Sequence, residues 1–126
     1  MKRVLSFATL VAAAASLTPA TADDAANGAK VFNRCRACHT IGPGARNKVG
    51  PELNGIVGRK AGSVSGFNYS DALKQKAAGG LVWTAANLQA YLDSPDAFIP
   101  NGVMAFAGVK NDGELKDLIA FLKTQK

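Results

Sequence analysis

The 126-residue chain is short of most groups that bind metals or do acid–base chemistry. It has one histidine (His39), two cysteines (Cys35 and Cys38), one tryptophan (Trp83) and two methionines (Met1 and Met104). With no second pair of Cys or His ligands, a four-ligand structural zinc site is excluded. No Lys/Arg run and no interleaving of basic with aromatic residues is present, which argues against nucleic-acid binding. No stretch alternates apolar and polar residues as a strand would, and no βαβ pattern surrounds the cysteines, so a thioredoxin-like redox pair is disfavoured. No apolar run reaches the ~20 residues a membrane span needs.

The longest apolar stretch, Val4 to Leu17, is interrupted by Ser6, Thr9 and Ser16. It follows a basic Lys2-Arg3 pair and precedes Ala20-Thr21-Ala22, an A-x-A cleavage pattern. Residues 1–22 therefore read as a cleaved signal peptide and 23–126 as one exported domain. Removing 22 residues from 126 leaves 104, a small domain with a marginal core unless something supplies apolar volume. The chain carries 15 Lys+Arg and 9 Asp+Glu; without Lys2 and Arg3 the balance is 13 to 9, or +4. That modest positive charge suits transient docking on acidic protein surfaces.

The scarce residues fall together. Cys35-Arg36-Ala37-Cys38-His39 is C-x-x-C-H, the attachment signature of c-type haem. Thiols three positions apart on a helical turn point the same way and can add to the two vinyl groups of one porphyrin, while His39 offers its imidazole to the iron. A second axial ligand cannot be histidine. With Met1 on the leader, Met104 is the one methionine of the mature chain. His/Met is the axial pair of electron-carrying cytochromes c, and thioether ligation raises the potential. Export agrees, since bacteria attach such haems outside the inner membrane.

Periodicity predicts an all-α domain of about four helices. The first runs from Asp24 to about Cys35, with Asp23 or Asp24 as cap. A short helix follows Ser70 and stops at Gly79-Gly80. The third spans Thr84 to Leu92 and ends at Ser94-Pro95. The last starts at Asp112 as cap and carries Leu115, Leu118, Ile119 and Leu122 at i, i+3, i+4, i+7 spacing. Between them, Ile41 to Gly66 holds seven glycines and two prolines, and Asp96 to Val109 reads as loop. Loops so long in a small domain wrap something or are functional.

With these stretches in hand, the mature chain resembles the class I cytochromes c of the short bacterial cytochrome c2 type, relatives of mitochondrial cytochrome c. The resemblance rests on Cys35–Thr40, Val49–Lys60, Gly66–Ala72, Trp83, Tyr91-Leu92 and Pro100–Lys110. It implies a small cytochrome c fold wrapped around one covalently bound haem. Cys35 and Cys38 would carry the thioethers, and His39 and Met104 the iron. The carbonyl of Pro51 would accept the other imidazole proton. Tyr91 would reach toward the Met104 sulfur, and Arg59, Tyr69 and Trp83 would bind the buried haem propionate. Gly28 and Phe32 would meet Leu118 and Phe121 where the terminal helices cross.

The chain also departs from its relatives. Gly102 stands where many have Thr, removing a hydrogen bond to the outer propionate. Val103 replaces a Lys that can displace Met at high pH, and Leu73 replaces an Asn near the inner haem edge. The basic rim is thinned to Arg34, Arg36, Lys48 and Lys110, with Asp96-Ala97 where a Lys pair stands elsewhere.

The function implied is that of a soluble, monomeric, periplasmic one-electron carrier and not an enzyme; a peroxidase would want a distal His or Arg pair. Its expected partners are redox proteins: a cytochrome bc1-type complex or periplasmic dehydrogenase as donor, and a terminal oxidase or photosynthetic reaction centre as acceptor. Neither nucleic acid nor stable membrane insertion is expected.

Overall fold

The computed structural model describes residues 10–14 and 23–126. Apart from 10–14, the expected leader 1–22 lies outside the described residues. Among the described residues there are five helices and no strand: α1 (Ala25–Phe32), α2 (Asp71–Ala78), α3 (Ala85–Asp93), α4 (Pro95–Phe98) and α5 (Asp112–Lys123). No helix among them is long and apolar enough to cross a membrane.

Each longer helix begins where a short polar side chain can take up an orphan amide. Asp24 accepts from Asn27 N, Ser70 from Leu73 N and Thr84 from Asn87 N. The cap of α5 is Asn111, accepting from Glu114 N, and not Asp112, which is the first helical residue. Asn111 caps because its backbone stays extended (φ −81°, ψ 118°) just before the first helical turn.

Two further boundaries differ from the periodicity. The first helix ends at Phe32, and residues 33–38 continue as turns. The segment after Ser94 is not all loop: Pro95 sits at the first position of a one-turn helix, where its missing N–H costs nothing.

The core is the crossing of α1 and α5. Phe32 and Leu118 are each 1% exposed, and Leu115, Ile119 and Leu122 on the same stripe of α5 are buried. The Phe32 and Phe121 rings pack at 5.5 Å. Gly28 allows this approach, because a Cβ there would lie 2.7 Å from Phe121 Cβ and would overlap the Asp117 carbonyl. Asp117 fastens the crossing, accepting from Asp24 N (2.8 Å) and Asn27 Nδ2 (2.7 Å).

The long loop is tied down by one isolated bridge, Lys60 to Val82. Around it Trp83 N donates to Arg59 O (2.8 Å), Gly58 N to Trp83 O (2.7 Å) and Ala61 N to Leu81 O (3.0 Å). These bonds hold Arg59 and Trp83 side by side.

Candidate haem site

The turn after α1 keeps helical hydrogen bonds although the helix has ended. Cys35 N donates to Phe32 O (2.8 Å), and His39 N donates to Cys35 O (2.9 Å). The C-x-x-C-H run is thus one tight turn, and Cys35, Cys38 and His39 all line a single cavity of about 240 Å³. Both thiols are free and half-buried. Burial pushes the Cys35 thiol up, with Arg34 beside it pulling the other way.

His39 is held from behind. Its Nδ1 lies 2.7 Å from Pro51 O. A carbonyl can only accept, so Nδ1 carries the proton and Nε2 keeps its lone pair for a metal. Burial lowers the His39 pKa, with the Pro51 carbonyl opposing and Arg59 adding to the shift, so the neutral ring is favoured. Gly50, buried behind the ring, completes the clamp: a Cβ there would be 2.7 Å from both Nδ1 and Nε2.

The other walls come from α3 and the loops. Met104 lines the cavity, and Tyr91 donates its hydroxyl to Met104 Sδ at 3.7 Å. Tyr91 packs on Trp83 (4.9 Å) and Phe98 (5.9 Å), and its phenol pKa is raised by burial and by Asp96. Leu53, Ile56, Phe67 and Leu73 are apolar lining residues. Val49 and Val103 also line the cavity yet are 78% exposed, so they mark its mouth.

Arg59, Tyr69 and Trp83 converge on the same cavity. Tyr69 Oη accepts from Val64 N (3.0 Å), which leaves its own proton to give elsewhere. Arg59 Nη1 donates to Asn54 O (3.0 Å) and Nη2 to Glu52 O (3.0 Å). Its Nε is buried without a partner, alone in this among the described residues. An apolar cavity with one buried guanidinium donor unspent fits an apolar macrocycle carrying a carboxylate. With two thiols, an imidazole nitrogen and a thioether on the same walls, the donor set fits a covalently held haem iron.

The nine site residues predicted from sequence are therefore brought to one cavity, Pro51 by its carbonyl as well as its place in the lining. The rim cations behave differently. Arg34 pairs with Glu114 (2.8 Å). Arg36 lies 4.9 Å over the Phe32 ring, and Lys48 donates to Arg36 O (3.2 Å). Sequence reasoning missed two residues. Gly50 was visible as the glycine before Pro51, and Glu52 as an acid in an apolar loop seven residues before Arg59.

Helices crossing at the chain ends, with a C-x-x-C-H turn facing an apolar cavity, define a c-type haem protein. The chain belongs to the Cytochrome c family, whose sequence profile matches residues 25–126. It is 52% identical to cytochrome c2 of Blastochloris viridis over 110 residues, 87% of this chain and 84% of that one. It is 57% identical to cytochrome c-550 of Ancylobacter novellus over 99 residues, 79% and 92% of the two chains. Cytochrome c2 from Rhodospirillum Centenum superposes with a TM-score of 0.77 at 38% identity, covering 82% of this chain and 98% of that chain. The protein is accordingly a bacterial cytochrome c2-like electron carrier with one covalently attached c-type haem.

Proposed function

We propose that the chain is a periplasmic one-electron carrier whose haem is bound through Cys35 and Cys38 and ligated by His39 and Met104. The observation that carries this reading is that the two ligands are each held in place by a hydrogen bond, His39 by Pro51 O at 2.7 Å and Met104 by Tyr91 Oη at 3.7 Å, on the walls of one cavity. When bound, the haem iron supplies the Fe(II)/Fe(III) couple.

The polypeptide does the rest. Pro51 fixes the tautomer of His39 and makes Nε2 a stronger donor to iron. Tyr91 restrains the Met104 thioether. Arg59, Tyr69 and Trp83 give the buried propionate its donors, so a desolvated carboxylate is not left bare. With His39 seated against Gly50 and Pro51, and Met104 restrained by Tyr91, little has to rearrange between oxidation states.

The mouth marked by Val49 and Val103 offers the route for electrons, and Arg34, Arg36, Lys48 and Lys110 steer docking with weak, salt-sensitive affinity. We assign 1–22 to a cleaved signal peptide and 23–126 to the soluble, monomeric domain. The donor is a cytochrome bc1-type complex or a periplasmic dehydrogenase, and the acceptor a terminal oxidase or photosynthetic reaction centre.

The test is the visible spectrum of the purified periplasmic protein. A sharp α-band on reduction and the weak far-red band of a Met–Fe(III) bond on oxidation are expected, with no binding of CO to the reduced protein. A high-spin spectrum with ready CO binding overturns the carrier reading and leaves an iron open to small molecules.

A further inference from the structure

Arg59 is not a free cation. Its Nη1 lies 3.4 Å from Glu52 Oε1, and the two side chains are only 16% and 24% exposed. The other carboxylate oxygen, Oε2, accepts from Asn54 N at 2.7 Å. Glu52 N donates to Asn47 Oδ1 (3.0 Å), and Glu52 O takes Arg59 Nη2 (3.0 Å). The carboxylate is thus held at both oxygens, and the residue's backbone at both N and O, beside the cavity's most buried cation. The remaining cationic lining residue, Arg34, is 47% exposed and paired with Glu114. Glu52 also follows Pro51, whose carbonyl holds His39.

We infer that Glu52 is a positioning and tuning residue: it turns two arms of the Arg59 guanidinium away from the cavity, presents Nε to it, and cancels part of its charge there. The inference rests on the reading that the cavity holds a haem with a buried propionate. A net positive charge beside the cavity favours the iron form with fewer positive charges, Fe(II). With Glu52 present that bias is muted, and its removal shifts the couple toward reduction. The pair is mostly buried, so the effect survives salt that would screen Arg34 and Glu114.

The experiment is redox potentiometry of the holoprotein with Glu52→Gln. Gln keeps the length and an acceptor for Asn54 N, and removes only the charge. The expected result is a shift of the reduction equilibrium toward Fe(II) of about two- to fivefold, roughly 20–40 mV at 59 mV per tenfold. Glu114→Gln, which frees the exposed arginine, should move it less.

Should Glu52→Gln fail to fold, Arg59→Gln is compared with the double variant Glu52→Gln/Arg59→Gln. The single variant lowers the potential, and the double variant recovers most of the loss. An unchanged or lowered potential in Glu52→Gln, or equal potentials in the second pair, overturns the inference. The far-red band, read on the same samples, reports separately on Met104: its absence from the wild type sinks the ligation proposal and leaves the Glu52 comparison readable.

Discussion

Replacing Gly50 by alanine tests whether the imidazole is held in a fixed seat. The added methyl would overlap His39 Cε1 and stand 2.7 Å from both ring nitrogens. Gly50 is buried, and Gly50 N is bonded to Cys38 O at 2.8 Å, so the backbone cannot swing away without releasing the C-x-x-C-H turn. Either the ring tilts and gives up its 2.7 Å bond to Pro51 O, or the loop moves. Overpacking costs about 1–3 kcal/mol and a lost hydrogen bond about 0.5–1.5. Their sum predicts a loss of about 1.5–4.5 kcal/mol in holoprotein stability. Urea unfolding followed by far-UV circular dichroism measures it, as a lower midpoint at unchanged slope. The oxidised and reduced spectra report the ring directly, since a displaced imidazole alters the ligand field. A variant with the parental midpoint and spectrum would refute the clamp.

Other expectations concern different contacts. Gly28→Ala brings a methyl against Asp117 and Phe121, and should lower stability by about 1–3 kcal/mol by overpacking, read by the same unfolding assay. The carboxyl of Asp117 is held below its usual range by Asn27 and by the amide of Asp24, so its contribution is present above the unfolded value and lost as pH falls through the lowered one. Unfolding midpoints between about pH 3 and 7 should fall more steeply on the acid side for the parent than for Asp117→Asn. Tyr91→Phe removes the donor on the Met104 sulfur. It should lower the reduction potential, since the bond withdraws electron density from the thioether, and change stability by no more than about 1.5 kcal/mol.

The sequence made the chemistry more legible than the geometry. Cys35, Cys38, His39 and Met104 are scarce residues in a chain with no substitutes, so counting alone isolates them. The helices were found by period and cap, because the stripe Leu115–Leu122 and the caps Ser70 and Thr84 are local signals. Boundaries escaped where two short polar residues of capping type adjoin, as Asn111 and Asp112 do, or where one turn of helix is too short to have a period, as at Pro95–Phe98. Glu52 and Gly50 escaped for another reason. Their importance lies in contacts with Arg59 and His39 that only the folded loop creates. Residue type likewise does not reveal that Arg34, one of the rim cations, is paired with Glu114.

The pairing of the first helix with the last has a consequence for the order of assembly. The amide of Asp24 and the carboxylate of Asp117 are 93 positions apart, so nearly the whole domain must be synthesised before that contact can form. Until α5 arrives, Val31 and Phe32 lack their cover, and the adjoining Cys35 and Cys38 stay reachable. The twelve residues of α5 therefore close the core directly beside the turn that carries the two thiols, and the last helix made completes the wall behind the first.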